Sequence, residues 1–187
     1  MRTIHTVGHG ALEPAELLGL LRRSGIEAIA DVRRYPGSRR HPQLARGPME
    51  EWLPEGGVDY AWIPALGGRR TTTPRSPHVA LRNEQFRGYA DHMATEEFAT
   101  GMGQLRQLAS ARSVAVMCAE SLWWRCHRRL IADHLVLIGH TAVEHLLHDG
   151  RSAPHAPTAG ARVESGMLVY DVSEHLFDPT VRSSLAD

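Results

Sequence analysis

The sequence predicts an α/β fold: a single three-layer domain with a mainly parallel, Rossmann-like sheet covered by helices on both faces. Three observations predict it. Strand patterns alternate with helical patterns through the first 150 residues, as parallel sheets with right-handed crossovers require. Ile26 to Val32 is a nearly unbroken apolar run, as in a strand buried on both faces. A chain of 187 residues, 42% hydrophobic and 22% charged, also suffices for one core without staples.

The elements follow in order. Thr3 to Val7 reads as a strand ending in Gly8-His9-Gly10. Pro14 to Arg23 places Leu17, Leu18, Leu20 and Leu21 at helical spacing, opened by Glu13 and Pro14 and stopped by Gly25. Ile26 to Val32 is the second strand and runs into Asp31-Val32-Arg33. Arg34 to Gly47 carries Pro36, Gly37 and Pro42 and reads as loop. A short helix at Pro48 to Leu53 precedes Gly56-Gly57, and Val58 to Ile63 is the third strand. Pro64 to Ser76, rich in Gly, Thr and Arg, reads as a mobile loop. Asn83 to Met93 and Thr95 to Ala109 are helices with apolar faces. Val114 to Met117 is the fourth strand, Trp124 to Ile138 a helix capped by Gly139, and Thr141 to Leu147 the fifth strand. These elements define an α/β domain over residues 1–150. Residues 151–187 form a tail rich in Pro, Ala and His, with an edge strand at Met167 to Tyr170 and frayed ends from Val181 to Asp187.

Composition narrows the function classes. All 21 basic residues are arginine, balanced by 21 acids. Without lysine, Schiff-base and P-loop chemistry are excluded; genome composition accounts for the arginine usage itself. A net charge of zero argues against a generic nucleic-acid coat. Yet Arg33, Arg34, Arg39, Arg40 and Arg46 fall in one acid-free stretch, and Arg69, Arg70, Arg75 and Arg82 in another. Guanidinium forks grip phosphate in bidentate fashion, so these loops point to an anionic ligand. His5, His9 and Glu13 interrupt any signal-like apolar stretch, and no run approaches the roughly 20 apolar residues of a membrane span. Two cysteines make no disulfide framework, and a reducing cytoplasm is the expected location.

Strand C-termini in such a sheet share one rim. Gly8-His9, Asp31 to Arg33, Ile63-Pro64 and Cys118 to Glu120 are therefore expected to meet around one crevice. With the elements Thr6-Val7-Gly8-His9, Asp31-Val32-Arg33 with Pro36, Ser38 and Arg39, Leu66-Gly67-Gly68, Phe86 with Tyr89, Met117-Cys118-Ala119-Glu120, and Cys126-His127-Arg128 with Ile131-Ala132, the chain resembles the family of domain of unknown function number 488. The resemblance runs from Thr3 to about Gly150, with a weaker echo to Tyr170. It implies this fold and a shared site, in a family with no settled activity. Gly10 stands where many relatives carry serine, and Trp123-Trp124 replace a more polar, proline-containing loop.

Within the crevice, Cys118 is the leading candidate for chemistry, its thiolate favoured by Arg125, Arg128 and Arg129; its bland reading is a packed core cysteine. Glu120 is a candidate general acid or base, or else a partner for an arginine such as Arg33. His9 and Asp31 are expected to assist, with Asp31 equally able to orient Arg33 or His9. Arg33, Arg39 and Arg128 are the expected phosphate contacts, with Gly8, Ser38, Gly67 and Gly68 lining the same ligand site. Trp62, Trp123 and Trp124 either stack on a base or bury apolar area.

The leading reading is a hydrolase or transferase with a cysteine or glutamate catalytic residue, acting on a phosphate-containing small molecule or nucleic-acid component, and with no cofactor. One alternative is a metal- or redox-responsive protein in which Cys118, Cys126 and His127 hold zinc or iron, or the two cysteines pair. Against it, neighbours on a helix point about 100° apart, which places Cys126 and His127 poorly for one ion. The other alternative is a non-catalytic module for a phospho-ligand or single-stranded nucleic acid.

Overall fold

The computed structural model describes residues 3–171; the fraying expected for Val181 to Asp187 lies outside them. Eight strands and five helices follow one another: β1 (Ile4–Gly8), α1 (Pro14–Arg23), β2 (Ala28–Asp31), α2 (Arg46–Glu55), β3 (Asp59–Trp62), α3 (Glu84–His92), α4 (Glu96–Ala111), β4 (Val114–Cys118), α5 (Arg128–Leu137), β5 (Val143–Leu146), β6 (Ser152–Pro154), β7 (Ala161–Glu164) and β8 (Met167–Tyr170). The main sheet has the order β3-β2-β4-β1-β5-β6. All its pairings are parallel except β5 with β6. This is the expected three-layer α/β architecture.

Alternation along the strands divides the core in two. Val7, Ile29, Ala115 and Met117 face Leu17, Leu20 and Leu21 of α1 and Met49 and Leu53 of α2. Ala28, Ala30, Val114, Val116 and Cys118 face the opposite way, toward Tyr89 of α3, Phe98, Met102 and Leu105 of α4, and Leu130, Ile131 and Leu135 of α5. Helix ends agree with local chemistry. Glu13 and Glu16 form a capping box ahead of Pro14, while Asn83 and Thr95 side chains cap α3 and α4.

Three expectations change. The predicted helix from Trp124 breaks: Trp123–Arg125 form one 3-10 turn, Cys126 is extended with φ −122° and ψ 151°, and α5 begins at Arg128. The loop after Pro64 is pinned rather than mobile, because Arg70 donates to both oxygens of Glu97 and to the Gly67 carbonyl. The strand Met167–Tyr170 exists, but it pairs antiparallel with β7 in a separate two-stranded sheet and is no edge of the main one. The main sheet itself continues past Gly150, where β6 closes its β5 edge. Among the described residues no helix is long and apolar enough to cross a membrane.

Candidate functional site

The switch point of the sheet lies between β1 and β4, since the crossover from β1 leads one way to β2 and that from β4 leads the other way to β5. Beyond the strand ends the backbones stay in contact: His9 N–H donates to the Cys118 carbonyl at 3.0 Å, Gly10 N–H to Ala119 at 2.9 Å, and Val32 N–H to Met117 at 3.0 Å. Gly8 makes that approach feasible, because a Cβ there would lie 1.9 Å from the Glu120 carbonyl oxygen. At this rim opens a cavity of about 750 Å³ lined by His9, Arg33, Ser38, Arg39, Gly68, Cys118, Glu120, Cys126 and His127, among others. Gly8, Asp31, Gly67 and Arg128 stand behind its wall.

Asp31 and Arg33 are a strut. Asp31 is fully buried and Arg33 is 6% exposed. Arg33 Nε donates to both Asp31 oxygens at 2.9 and 3.0 Å, Nη2 to Asp31 Oδ2 at 2.5 Å and toward Met49 Sδ at 3.4 Å, and Nη1 to the Leu44 carbonyl at 2.8 Å and to His9 Nε2 at 3.0 Å. A guanidinium has five N–H donors, and all five are engaged. Arg33, expected to hold phosphate, has no donor to offer one. Tyr60 completes the strut by donating to Asp31 at 2.5 Å; burial and then the Asp31 carboxylate hold its phenol well above the usual range.

His9 is likewise occupied. Its Nδ1 lies 3.0 Å from the Gly10 carbonyl, which only accepts, and its Nε2 receives a hydrogen from Arg33, which only donates. Both contacts fix the same neutral tautomer. Burial first, then the Arg33 charge, bring its pKa down to about 4. These contacts fix the orientation of His9, which is expected to assist at the rim.

Arg128 is 1% exposed and points inward. Its Nη2 donates to the Glu120 carbonyl, and Nη1 reaches the Thr6 hydroxyl at 3.5 Å. It holds the rim from beneath and does not reach the cavity, contrary to the expected phosphate contact. From Thr6 a buried relay continues: Thr6 Oγ1 to His145 Nδ1 at 2.7 Å, His145 Nε2 to His155 Nδ1 at 2.9 Å, and His155 Nε2 to Asp133 Oδ1 at 2.9 Å. Asp133 only accepts, so His155 Nε2 carries a hydrogen toward it, while at the other end the Arg128 guanidinium donates to Thr6. Burial, followed by His155 and Arg128, lowers His145 to about 3. Trp123 lies flat on the His145 ring at 3.9 Å, so its area serves packing. Trp62 is also taken up, donating to the Arg33 carbonyl at 2.8 Å.

The sulfur atoms of Cys118 and Cys126 and a ring nitrogen of His127 lie within 4.8 Å of one another. Cys126 Sγ is 3.6 Å from His127 Nδ1. The hydrogen bond from Cys118 pulls the Cys126 thiol well below the ordinary range, aided by His127 and Arg128, and the same bond together with burial pushes Cys118 up. The two thiols therefore differ in acidity, with Cys126 the more acidic. The extended backbone at Cys126 also removes the helical objection to its acting together with His127.

Glu120 is exposed on the rim, and its Oε1 accepts from the Leu122 N–H at 3.1 Å; it does not pair with Arg33. Ser38 Oγ accepts from the His41 N–H at 2.9 Å and orders the arginine loop. The cavity wall also includes Arg34, Arg40, Arg69, Arg125, Tyr35 and Phe86, which were not singled out as site residues. For Arg34, Arg40 and Arg69 the signal was present in the two acid-free arginine stretches. The relay residues Thr6, Asp133, His145 and His155 had no such signal.

Fold and rim together define an α/β domain with a crevice at the carboxyl ends of parallel strands. The family model described as "Domain of unknown function DUF488" matches residues 13–135, about two thirds of the chain, and the chain belongs to that family. No curated protein and no solved structure matches it.

Proposed function

We propose that the crevice binds a phosphate-bearing ligand, a nucleotide or a component of nucleic acid, with the thiols at its floor as the chemically active groups. One observation carries this reading: six arginines line the cavity beside a single carboxylate, Glu120. Arg33 is spent on Asp31. Among the described residues no acid lies within ion-pair distance of Arg39, Arg40, Arg69 or Arg125. Uncompensated guanidinium groups around a concavity attract an anion, and their fork matches phosphate oxygens. Tyr35, 64% exposed at the mouth, and Phe86 within supply flat apolar surface on which a base can stack.

The test is calorimetric titration with a nucleoside monophosphate, inorganic phosphate and a short single-stranded oligonucleotide at several salt concentrations. Nucleotide binding that weakens with salt supports the reading, as does its loss in an Arg39→Ala/Arg125→Ala variant with an unchanged melting temperature. If the oligonucleotide is preferred, log affinity should fall against log salt with a slope of about −0.7 per phosphate engaged. Absence of binding by all three probes, or binding indifferent to salt, overturns it.

A further inference from the structure

We propose that Cys118, Cys126 and His127 form a binding site for one thiophilic dication, zinc in the first instance, with its fourth coordination position open to the cavity. This goes beyond the phosphate reading and stands without it, because the three donors come from the chain itself.

The donors arrive from two separately anchored pieces of backbone, the end of β4 and the junction that leads into α5. Cys118 ends β4 in register with Gly8, Cys126 occupies the extended residue after the 3-10 turn, and His127 caps α5. Two thiolates and an imidazole are a ligand set that zinc takes, at about 2.3 Å from sulfur and about 2.0 Å from nitrogen. Tetrahedral angles at those lengths separate the donors by about 3.5–3.8 Å. Cys126 Sγ and His127 Nδ1 are already 3.6 Å apart, and all three donors lie within 4.8 Å. Seating an ion therefore asks for side-chain movement of roughly an ångström and no shift of an element.

Two features keep the space open and the imidazole in place. Gly68 lies against His127, and a Cβ there would sit 2.8 Å from Nδ1. The Tyr89 ring, buried and tilted at 5.0 Å, holds the imidazole on its other side. Charge is consistent as well. Two thiolates cancel a dication, so the ion adds no net positive charge beside the buried Arg128. All three donors also line the cavity, so one coordination position faces solvent or a bound anion. Catalytic zinc sites share this pattern of three protein ligands and one open position.

The experiment uses the whole, reduced, untagged chain, stripped with a chelator and reloaded with zinc or cobalt(II). One equivalent of zinc should survive gel filtration and protect both cysteines from a thiol-specific reagent. The cobalt protein should show thiolate-to-metal charge-transfer absorption and the intense visible bands of tetrahedral coordination. Because this is measured on the unaltered chain, it does not depend on any variant folding. Cys118→Ser and Cys126→Ser should each abolish the charge-transfer band or reduce it. Gly68→Ala, which removes no donor, should weaken zinc binding on the order of ten-fold. Equal thiol reactivity with and without zinc overturns the proposal, as does a charge-transfer band that both serine variants retain in full. So does a Cys118–Cys126 disulfide that forms equally fast with zinc present.

Discussion

Replacing Asp31 by asparagine asks whether this carboxylate is scaffold or catalyst. Asp31 is fully buried and accepts from the Arg33 backbone N–H at 3.0 Å, from Arg33 Nε and Nη2, and from the Tyr60 hydroxyl. Asparagine keeps the shape, removes the charge and turns one acceptor into a donor facing other donors. Arg33 is then a buried cation without an anion, and breaking a buried pair from one side costs about 3–5 kcal/mol. For a chain of this size each kcal/mol shifts the melting temperature by about 2–4 °C, so a fall on the order of 10 °C is expected. Removing both partners should hurt less: Asp31→Asn/Arg33→Met should recover part of the loss. Urea denaturation of the four proteins of this cycle gives the numbers. A loss below about 1 kcal/mol for Asp31→Asn, or a double variant no better than that single one, would refute the strut. If ligand binding or turnover failed at unchanged stability, Asp31 would belong to the chemistry instead.

The remaining predictions are more compact. His9 and His145 titrate at about 4 and about 3 in the folded chain, against 6.5 when free. Below pH 6.5 the unfolded chain takes up protons that the folded one refuses. Stability should therefore fall as pH drops from 6.5 to about 4, by about 1.4 kcal/mol per pH unit for each histidine. Urea midpoints that stay constant from pH 7 to pH 5 would contradict this. In Gly8→Ala a Cβ would press on the Glu120 carbonyl and on Arg128, so the β1 and β4 ends must part at a cost of about 1–3 kcal/mol or more; a variant as stable as the parent would show that the rim is looser than described. Leu17→Ala, at a fully buried position under β1, should cost about 2–5 kcal/mol and leave the affinity of the crevice unchanged.

The sheet was legible because its central strands write their burial into the sequence: Ile29, Ala30, Val114 and Val116 are apolar on both faces, as only an interior parallel strand need be. Once those strands were read, the meeting of His9, Arg33, Cys118 and Glu120 at one rim followed from topology alone. Other features leave no local trace. β6 is three residues ending in Pro154, recognisable only through its pairing with β5. The break at Cys126 hides inside a helical pattern because Trp123–Arg125 keep nearly helical spacing. A spent guanidinium reads the same as a free one, so Arg33 and Arg128 were indistinguishable in sequence from Arg39 and Arg125. Thr6 and His145 are 139 positions apart, and no periodicity links them.

Asp133 has a consequence for anyone who would cut this chain down. Its two oxygens are satisfied by His155, by the Thr158 N–H and by the Tyr170 hydroxyl, all of them downstream of residues 13–135, the span that the family model matches. A fragment trimmed to that span would carry a bare anion into its own interior. Truncation that keeps these partners should therefore begin beyond Tyr170.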